Sequence, residues 1–157
     1  MIRQKLLSVN YLKGRKGYVP MACVIHISDG SEKSVYQTFS NPANQKSSHY
    51  CVDFDGATFQ YVLDENTAWG NGIVYRPRAW IVNANKGINP NLLTLSVEII
   101  GFGYKDITEA QYEATGELVK DLCQKWAIPL DDKHIIPHNS INASKSCPGR
   151  VSIFKIL

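Results

Sequence analysis

The sequence predicts a single α/β domain in which a central mixed β-sheet is flanked by helices. Short apolar strand patterns alternate along the chain with helical patterns, which is typical of this class. No internal repeat, low-complexity run or linker divides the chain. With 157 residues, 44% of them hydrophobic, it is long enough to bury one sizeable core. We therefore expect residues 1–157 to form one domain.

The first half of the chain predicts a strand, a helix and a hairpin. The apolar run MACVIHIS (21–28) is typical of a strand, and apolar residues recur at helical spacing over 32–41. In the segment 48–63, residues alternate on both sides of Asp55-Gly56, a frequent turn sequence in hairpins. These segments are expected to supply the first strands of the sheet and a helix that covers it.

The second half predicts long loops followed by a strand, a helix and a strand. Residues 64–91 are rich in Gly, Asn and Pro, which indicates surface loops around a short helix near Trp80. The run LLTLSVEII (92–100) is typical of a buried strand. The clearest helix covers 108–128, with a capping threonine at its start and an apolar face. KHIIPH (133–138) predicts a last short strand.

Charge and hydropathy argue against several classes of partner. The net charge is +3 and the basic residues are scattered apart from a short cluster over 11–18, so we expect no nucleic-acid partner. No stretch approaches the roughly eighteen consecutive apolar residues of a membrane helix, so we expect no membrane insertion. The start of the chain lacks a signal-peptide core, which predicts synthesis in a host cytoplasm. In that compartment the four cysteines are expected to be thiols or ligands.

Four residues of catalytic or metal-binding type differ from their local context. His26 lies inside an apolar strand, where a hydrogen-bonded core histidine is the common alternative. Glu98 lies in the middle of a buried strand, where an ionised carboxylate is costly unless a positive group compensates it. His138 ends the last strand, and Cys147 lies in the loop KSCPGR (145–150). We expect these four side chains to meet at one site.

Two imidazoles and a thiolate suit zinc, and a fourth position open to water is typical of a catalytic site. A closed structural site that uses Cys23 with His26 conflicts with strand geometry, because side chains three residues apart point to opposite faces. His134 is a poor partner for His138, because four extended residues span roughly 13 Å. The pattern favours His26, His138 and Cys147 as zinc ligands. The alternative is that Cys147 is a nucleophile with His138 as its base.

The order of these motifs resembles the zinc-dependent N-acetylmuramoyl-L-alanine amidases. These include phage endolysin catalytic domains and share the fold of peptidoglycan recognition proteins. The similarity consists of a histidine in an early strand, S-x-H-Y before a D-G hairpin, A-W, N-P-N ahead of S-V-E-I, and a histidine before K-x-C-P-G. Each motif is weak alone, but the five are specific in this order. The similarity runs from about Ala22 to Gly149, nearly the whole chain.

The resemblance implies a role for each candidate residue. It implies that His26, His138 and Cys147 hold Zn²⁺. It also implies that Glu98 acts as general base or holds the attacking water, and that Lys145 stabilises the tetrahedral oxyanion. The implied substrate is bacterial peptidoglycan, and the implied reaction is hydrolysis of the amide between N-acetylmuramic acid and L-alanine.

The sequence departs from the family pattern at two positions. Gly70 stands where many relatives carry a histidine after A-W, and Ser48 stands where some phage relatives carry a tyrosine. Without that tyrosine, Glu98 is expected to supply more of the proton transfer. Trp69 and His49 are the candidate substrate-binding residues, and a core aromatic is the alternative for Trp69. For His49, a packed, hydrogen-bonding role is favoured over contact with substrate.

Three functions are consistent with these residues. The leading prediction is a zinc amidase that degrades the cell wall as the catalytic domain of a phage or prophage endolysin, to which a C-terminal wall-binding domain is often attached. The second is a non-catalytic peptidoglycan-binding recognition module, although such modules typically lack the cysteine ligand. The third is a cysteine hydrolase. No pattern in the sequence indicates a particular host, stem peptide or oligomeric state.

Overall fold

The structure of the chain is a computed structural model that describes residues 1–157, and it confirms the single-domain α/β prediction. The strands are β1 (Arg3–Gln4), β2 (Tyr11–Leu12), β3 (Ala22–Ile27), β4 (Tyr50–Val52), β5 (Thr58–Gln60), β6 (Thr67–Ala68), β7 (Thr94–Ile99) and β8 (Ile135–Pro137). The helices are α1 (Glu32–Ser40), α2 (Trp80–Ala84), α3 (Glu109–Trp126) and α4 (Ile153–Ile156). Short 3₁₀ turns cover Pro42–Asn44, Pro90–Leu92 and His138–Ser140.

Six of the strands form one mixed sheet in the order β1-β5-β4-β7-β3-β8, and β2 pairs separately with β6. Strand β3 is parallel to both of its neighbours, β7 and β8, and β4 is parallel to β7 but antiparallel to β5. The register of β3 and β7 sets His26 directly beside Glu98. Because neighbours in register point the same way, both side chains lie on one face of the sheet.

The predicted elements are present with shifted ends. Strands β4 and β5 pair around Asp55-Gly56, where Gly56 has a φ of +81° that favours glycine. The strand predicted over 133–138 ends one residue earlier, because a 3₁₀ turn begins at His138. Strands β1, β2 and β6 and helix α4 are not predicted, because segments of two to four residues carry no detectable periodicity.

Helix α3 is the longest helix and begins with a capping box. The Thr108 hydroxyl accepts from the backbone N–H of Gln111, and the Gln111 side chain accepts from the backbone N–H of Thr108, both at 3.1 Å. The buried side chains of α3 include Leu118 and Leu122, which pack against the sheet. Neither α3 nor any other helix combines the length and the apolar character needed to cross a membrane.

The two faces of the sheet are covered differently. Helix α3 packs on one face, where the largest apolar cluster includes Val97. The opposite face carries two smaller apolar clusters, one around Phe39 and the other around Ile81. His26 and Glu98 belong to neither cluster, although they share the strands that support them. The sheet therefore leaves a place for polar side chains on this second face.

A buried arginine ties the start of β7 to neighbouring loops. Arg15 is 5% exposed, and its guanidinium donates to the carbonyl oxygens of Asp64 (2.7 Å) and Thr94 (3.1 Å). The Asp64 carboxylate accepts from the Tyr50 hydroxyl (2.6 Å) and from the ammonium of Lys125 (2.8 Å) at the end of α3. Through these hydrogen bonds, the network fixes both α3 and the loops before β7 against the sheet.

Candidate active site

Three candidate ligands from distant parts of the chain meet at one edge of the sheet. His26 is the next-to-last residue of β3, and His138 follows β8 directly. Because β3, β7 and β8 are parallel, their carboxyl ends lie at the same edge, where ligands of α/β sheets commonly bind. The ligand atoms of His26, His138 and Cys147 all lie within 4.8 Å of one another.

Backbone contacts hold the loop that carries Cys147. The N–H of Asn139 donates to the Cys147 carbonyl oxygen (2.9 Å), and the N–H of Ile27 points to its sulfur (3.4 Å). Gly149 has a φ of +63°, and a Cβ atom there would lie 2.2 Å from the Gly103 carbonyl oxygen. The glycine of C-P-G is therefore required by both its conformation and its close contact with another loop.

The two histidines differ in their hydrogen bonds. The Nε2 of His138 donates to the backbone oxygen of Asn71 (3.0 Å), which leaves a lone pair on Nδ1. The Nδ1 of His26 lies 3.9 Å from the Cys147 sulfur, and its Nε2 is buried without a partner. His26 is therefore a buried histidine in which Nε2 has no hydrogen-bond partner and Nδ1 has only the Cys147 sulfur.

The cluster is compatible with a zinc ion in the spacing of one ligand pair and in the protonation of the histidines. Zinc bonds of about 2.0–2.3 Å place tetrahedral ligand atoms roughly 3.3–3.8 Å apart. His26 Nδ1 and Cys147 Sγ lie 3.9 Å apart, and all the ligand atoms lie within 4.8 Å of one another. Burial lowers the pKa of His26 and of His138, which keeps both in the neutral form that binds metal. Burial also raises the pKa of the Cys147 thiol to about 12, so metal binding would have to displace its proton.

Glu98 lies beside this cluster in an environment that favours its protonated form. Burial, reinforced by the negative charge of Asp29, raises the pKa of the Glu98 carboxyl to about 8. The positive charge of Lys46 opposes this rise only in part. A carboxyl with such a pKa can both accept and release a proton near neutral pH.

A cavity of about 910 Å³ contains most of the predicted site residues. Its walls include the three candidate ligands together with Glu98, Lys145 and Trp69. Lys145 is exposed, and Trp69 is half-buried with its backbone N–H bonded to the Ser47 hydroxyl (2.8 Å). A ligand in this cavity would touch the candidate metal centre, the carboxyl and the ammonium together.

His49 lies behind the cavity wall and not in it. It is fully buried, and its Nδ1 accepts from the backbone N–H of Ser96 (3.0 Å). Its Nε2 lies 2.8 Å from the guanidinium of Arg15 and 3.2 Å from the carbonyl oxygen of Asn66. Its position fits the packed, hydrogen-bonding alternative and offers no direct contact with a substrate. Ser48 is likewise buried, with its hydroxyl bonded to backbone oxygens.

The residues considered for a closed structural site lie elsewhere. Cys23 is fully buried in the apolar cluster beneath α3, on the opposite face from His26. The Nδ1 of His134 lies 2.6 Å from the carboxylate of Asp131, and its ring packs against Trp80. Neither residue lines the cavity.

Sequence reasoning did not find three further residues at the site. Asn71 orients His138 through its backbone oxygen, and its side chain donates to the hydroxyl of Thr94 (2.9 Å). Lys46 and Asp29 both line the cavity beside Glu98. All three lie in loops without periodicity, and the only signal for Lys46 is its place directly before the S-x-H motif.

Comparison with protein families agrees with this geometry. A family model described as N-acetylmuramoyl-L-alanine amidase matches residues 15–150. The chain belongs to this family. Membership supports peptidoglycan amidase activity for the chain. No protein with a curated annotation matches the sequence of this amidase.

Solved structures show the same fold. A selenomethionine derivative of AmpD superposes on the amidase with a TM-score of 0.80 at 19% identity, covering 99% of this chain and 92% of AmpD. PlyL superposes with a TM-score of 0.70 at 25% identity, covering 96% of this chain and 87% of PlyL. The N-acetylmuramyl-L-alanine amidase AmiD from E. coli, in complex with anhydro-N-acetylmuramic acid-L-Ala-D-γ-Glu-L-Lys, has a TM-score of 0.65 at 21% identity, over 83% of this chain and 53% of AmiD.

Proposed function

We propose that the amidase is a zinc hydrolase that cuts the bond between N-acetylmuramic acid and L-alanine in bacterial peptidoglycan. The observation that carries this proposal is the convergence of His26, His138 and Cys147 beside Glu98 in one cavity. Family membership supports it, because the family takes its name from this reaction. Zinc held by the three ligands would lower the pKa of a bound water and polarise the scissile carbonyl.

Glu98 is the proposed general base. Its pKa of about 8 suits a group that takes a proton from the attacking water and passes it to the leaving amine. The water oxygen bonds to the lactyl carbonyl carbon, the carbon–nitrogen bond breaks, and the amine of L-alanine leaves with the proton.

Lys145 is the proposed oxyanion-stabilising residue. It borders the same cavity, and its ammonium can donate a hydrogen bond to the negative oxygen that develops during attack. This oxygen carries less charge in the bound substrate than in the transition state. An ammonium placed here therefore lowers the barrier more than it tightens substrate binding.

The geometry does not favour Cys147 as a nucleophile. Burial raises the pKa of its thiol to about 12, whereas nucleophilic cysteines are activated by a lowered pKa. No helix begins at Cys147, so no helix N-terminus stabilises a thiolate. The thiol thus fits a metal ligand, which loses its proton on coordination.

The polymeric cell wall is the proposed substrate, in the role of a phage or prophage endolysin catalytic domain. Support comes from endolysins with the same fold, such as the endolysin amidase LysCS from Clostridium intestinale, with a TM-score of 0.66 at 14% identity. An endolysin is expected to release peptides from insoluble wall as readily as from soluble fragments. A cytoplasmic amidase that recycles cell-wall fragments is expected to cut only the soluble fragments. Parallel assays on both substrates therefore distinguish the two roles.

The central test is mass spectrometry of the fragments that the purified protein releases from peptidoglycan, with and without a zinc chelator. We expect free stem peptides with a new L-alanine amine, no release after chelation, and recovery when zinc is added back. Cleavage that survives the chelator would make Cys147 a nucleophile. Wall binding without cleavage would indicate a recognition module.

A further inference from the structure

A second cavity of about 390 Å³ adjoins the main one at Glu98. The two cavities share four lining residues, which are Asp29, Phe39, Lys46 and Glu98. Most of the remaining wall is polar and includes the hydroxyl residues Ser34 and Thr38 of α1 and Ser28, which follows β3. The main cavity therefore continues past the candidate base into a polar subsite beside α1.

Lys46 is the one lysine or arginine that lines this subsite. Its side chain is exposed and takes part in none of the ion pairs or side-chain hydrogen bonds of the structure. The carboxylates of Asp29 and Glu98 also line the subsite, and Asp29 is held by the N–H of Gly103 (2.9 Å). An anionic ligand here would depend on Lys46, because without it the subsite presents only negative charge.

The chemistry of the substrate indicates which end of the cavity binds the sugar and which end binds the peptide. The muramoyl sugar is uncharged once its lactyl carboxyl is in the amide, whereas the stem peptide carries ionic groups. Phe39 lines both cavities, whereas the aromatic side chains Trp69 and Tyr75 line only the main cavity and not the polar subsite. The sugar thus fits the aromatic end, and the peptide fits the subsite beyond Glu98.

The first free charge of the stem peptide lies within reach of this subsite. In the ligand of the AmiD complex the residue after L-Ala is a γ-linked D-glutamate, whose α-carboxylate is not in a peptide bond. Two residues of chain span at most about 7 Å, which bounds the distance from the scissile nitrogen to that carboxylate. The subsite begins at Glu98, which is paired with His26 in the register of β3 and β7, so a carboxylate this close to the scissile nitrogen can enter it.

We propose that Lys46 is a specificity-determining residue that binds the free α-carboxylate of the γ-linked D-glutamate in the stem peptide. This inference rests on the proposed amidase function and names the part of its substrate that the subsite recognises. It requires that the enzyme distinguish the α-carboxylate from the uncharged α-carboxamide.

The test compares two soluble substrates with the zinc-loaded protein. One is MurNAc-L-Ala-γ-D-Glu-L-Lys, and the other carries a carboxamide in place of the D-glutamate α-carboxylate. For the wild type we expect kcat/KM about tenfold higher for the acid, as is usual for a hydrogen bond to a charged group. Lys46→Gln is expected to lose this preference. Lys33→Gln, which removes an exposed lysine of α1 that lines neither cavity, is expected to keep it.

Two results would overturn the proposal. One is a Lys46→Gln variant that still prefers the acid as strongly as the wild type does. The other comes from a third substrate, in which only the C-terminal carboxylate of L-Lys is amidated. If the wild type discriminates against this compound and not against the D-glutamate amide, the recognised carboxylate is a different one.

A binding measurement separates this proposal from the proposed reaction. If the wild type cleaves none of the substrates, the amidase function fails while the subsite can still be measured. Calorimetry with the free peptide L-Ala-γ-D-Glu-L-Lys should then show about tenfold weaker binding to Lys46→Gln than to Lys33→Gln. Equal affinities would overturn the role of Lys46.

Discussion

At the scale of single residues, the chemistry of the site depends on which atom of each side chain has no hydrogen-bond partner and can bind a metal or a proton. The carbonyl oxygen of Asn71 accepts a hydrogen bond from the Nε2–H of His138, so the Nδ1 lone pair of His138 is free for the cluster. His26 has no such partner on Nε2, and its Nδ1 is the ring nitrogen that lies near the Cys147 sulfur. Glu98 differs from these ligands because its carboxyl lies beside them without a side-chain hydrogen bond. It is therefore placed to move a proton.

Replacing Glu98 tests this division of roles. Glu98→Gln keeps the shape of the side chain but cannot accept a proton, so we expect kcat to fall by about 10²–10⁴-fold. Zinc content, measured by mass spectrometry of metals, should stay at the wild-type level. Glu117→Gln, an exposed position on α3, is the matched control with normal turnover. A Glu98→Gln variant with near-normal kcat would assign the base to another residue.

At the scale of elements, two contacts between distant segments support the site. The 102–104 loop after β7 packs against the Cys147 loop, and the backbones of Gly103 and Gly149 pack closely where the two loops meet. On the other face, Asp64 connects the loop after β5 to the end of α3. The first contact positions a candidate ligand, and the second supports the sheet from which the other ligands project.

Gly149→Ala is expected to weaken metal binding although Gly149 is not a ligand. An added Cβ would lie 2.2 Å from the Gly103 carbonyl oxygen, so the loop that carries Cys147 must move. We expect a loss of about 1–3 kcal/mol in the free energy of unfolding, together with lower zinc affinity by titration. Gly14→Ala is the control, because its φ of +73° is similar but nothing lies within 4 Å of the added atom. Equal zinc affinity in both variants would contradict this account.

The Asp64 contact predicts a pH-dependent contribution to stability. Burial would raise the pKa of the Asp64 carboxyl, but hydrogen bonds from Lys125, Tyr50 and Trp126 outweigh it and hold the pKa below its usual value. The contribution is therefore present above the unfolded-state pKa of about 3.9 and is lost as the pH falls through the lower folded-state pKa. Asp64→Asn should cost about 1–3 kcal/mol near pH 7 and progressively less in acid, as measured by urea unfolding.

The matched control for Asp64 is its sequence neighbour. Glu65 also pairs with Lys125 (3.4 Å), but both side chains are exposed. Exposed ion pairs contribute little to stability. Glu65→Gln should therefore change the free energy of unfolding by less than about 1 kcal/mol, both near pH 7 and in acid. If Asp64→Asn showed the same small cost at pH 7 and in acid, the buried carboxylate would not be the source of the stability.

At the scale of the whole molecule, the candidate metal centre joins segments that are distant in sequence. His26 lies in the first long strand, His138 follows the last strand, and Cys147 lies in the loop before α4. An ion held by all three therefore links the two ends of the fold. Because such a site does not exist in the unfolded chain, its binding energy adds to the stability of the native state.

Zinc is accordingly expected to raise the melting temperature of the whole protein. With free zinc at about 100 times its Kd, the stabilisation of about 2.7 kcal/mol corresponds to a shift of roughly 5–10 °C for a domain of this size. Cys147→Ser should lose most bound zinc and most of this shift in scanning calorimetry. Cys123→Ala, which removes a thiol on the buried face of α3, should keep the zinc-dependent shift. Full zinc content in Cys147→Ser would remove Cys147 from the ligand set.

The sequence by itself determined the order of the main strands and helices, because periodic burial on each element is a local property. It also determined the candidates His26 and Glu98, since an ionisable residue inside an apolar run is visible without a structure. His138 and Cys147 were candidates because of their residue types and their order in the chain. The ends of the elements could not be predicted as well, as the 3₁₀ turn at His138 shows. Turns depend on backbone hydrogen bonds, which produce no periodic pattern in the sequence.

The tertiary structure alone decided which residues are neighbours. His26 lies beside Glu98 because β3 and β7 pair in parallel at one particular register, and no pattern within either strand specifies that register. The same long-range arrangement places Asn71 behind His138 and Lys46 next to the candidate base. It also places His49 behind the cavity wall, in the packed role that was favoured for this histidine. Loop residues such as these acquire their roles only from strands that fold against them from elsewhere in the chain.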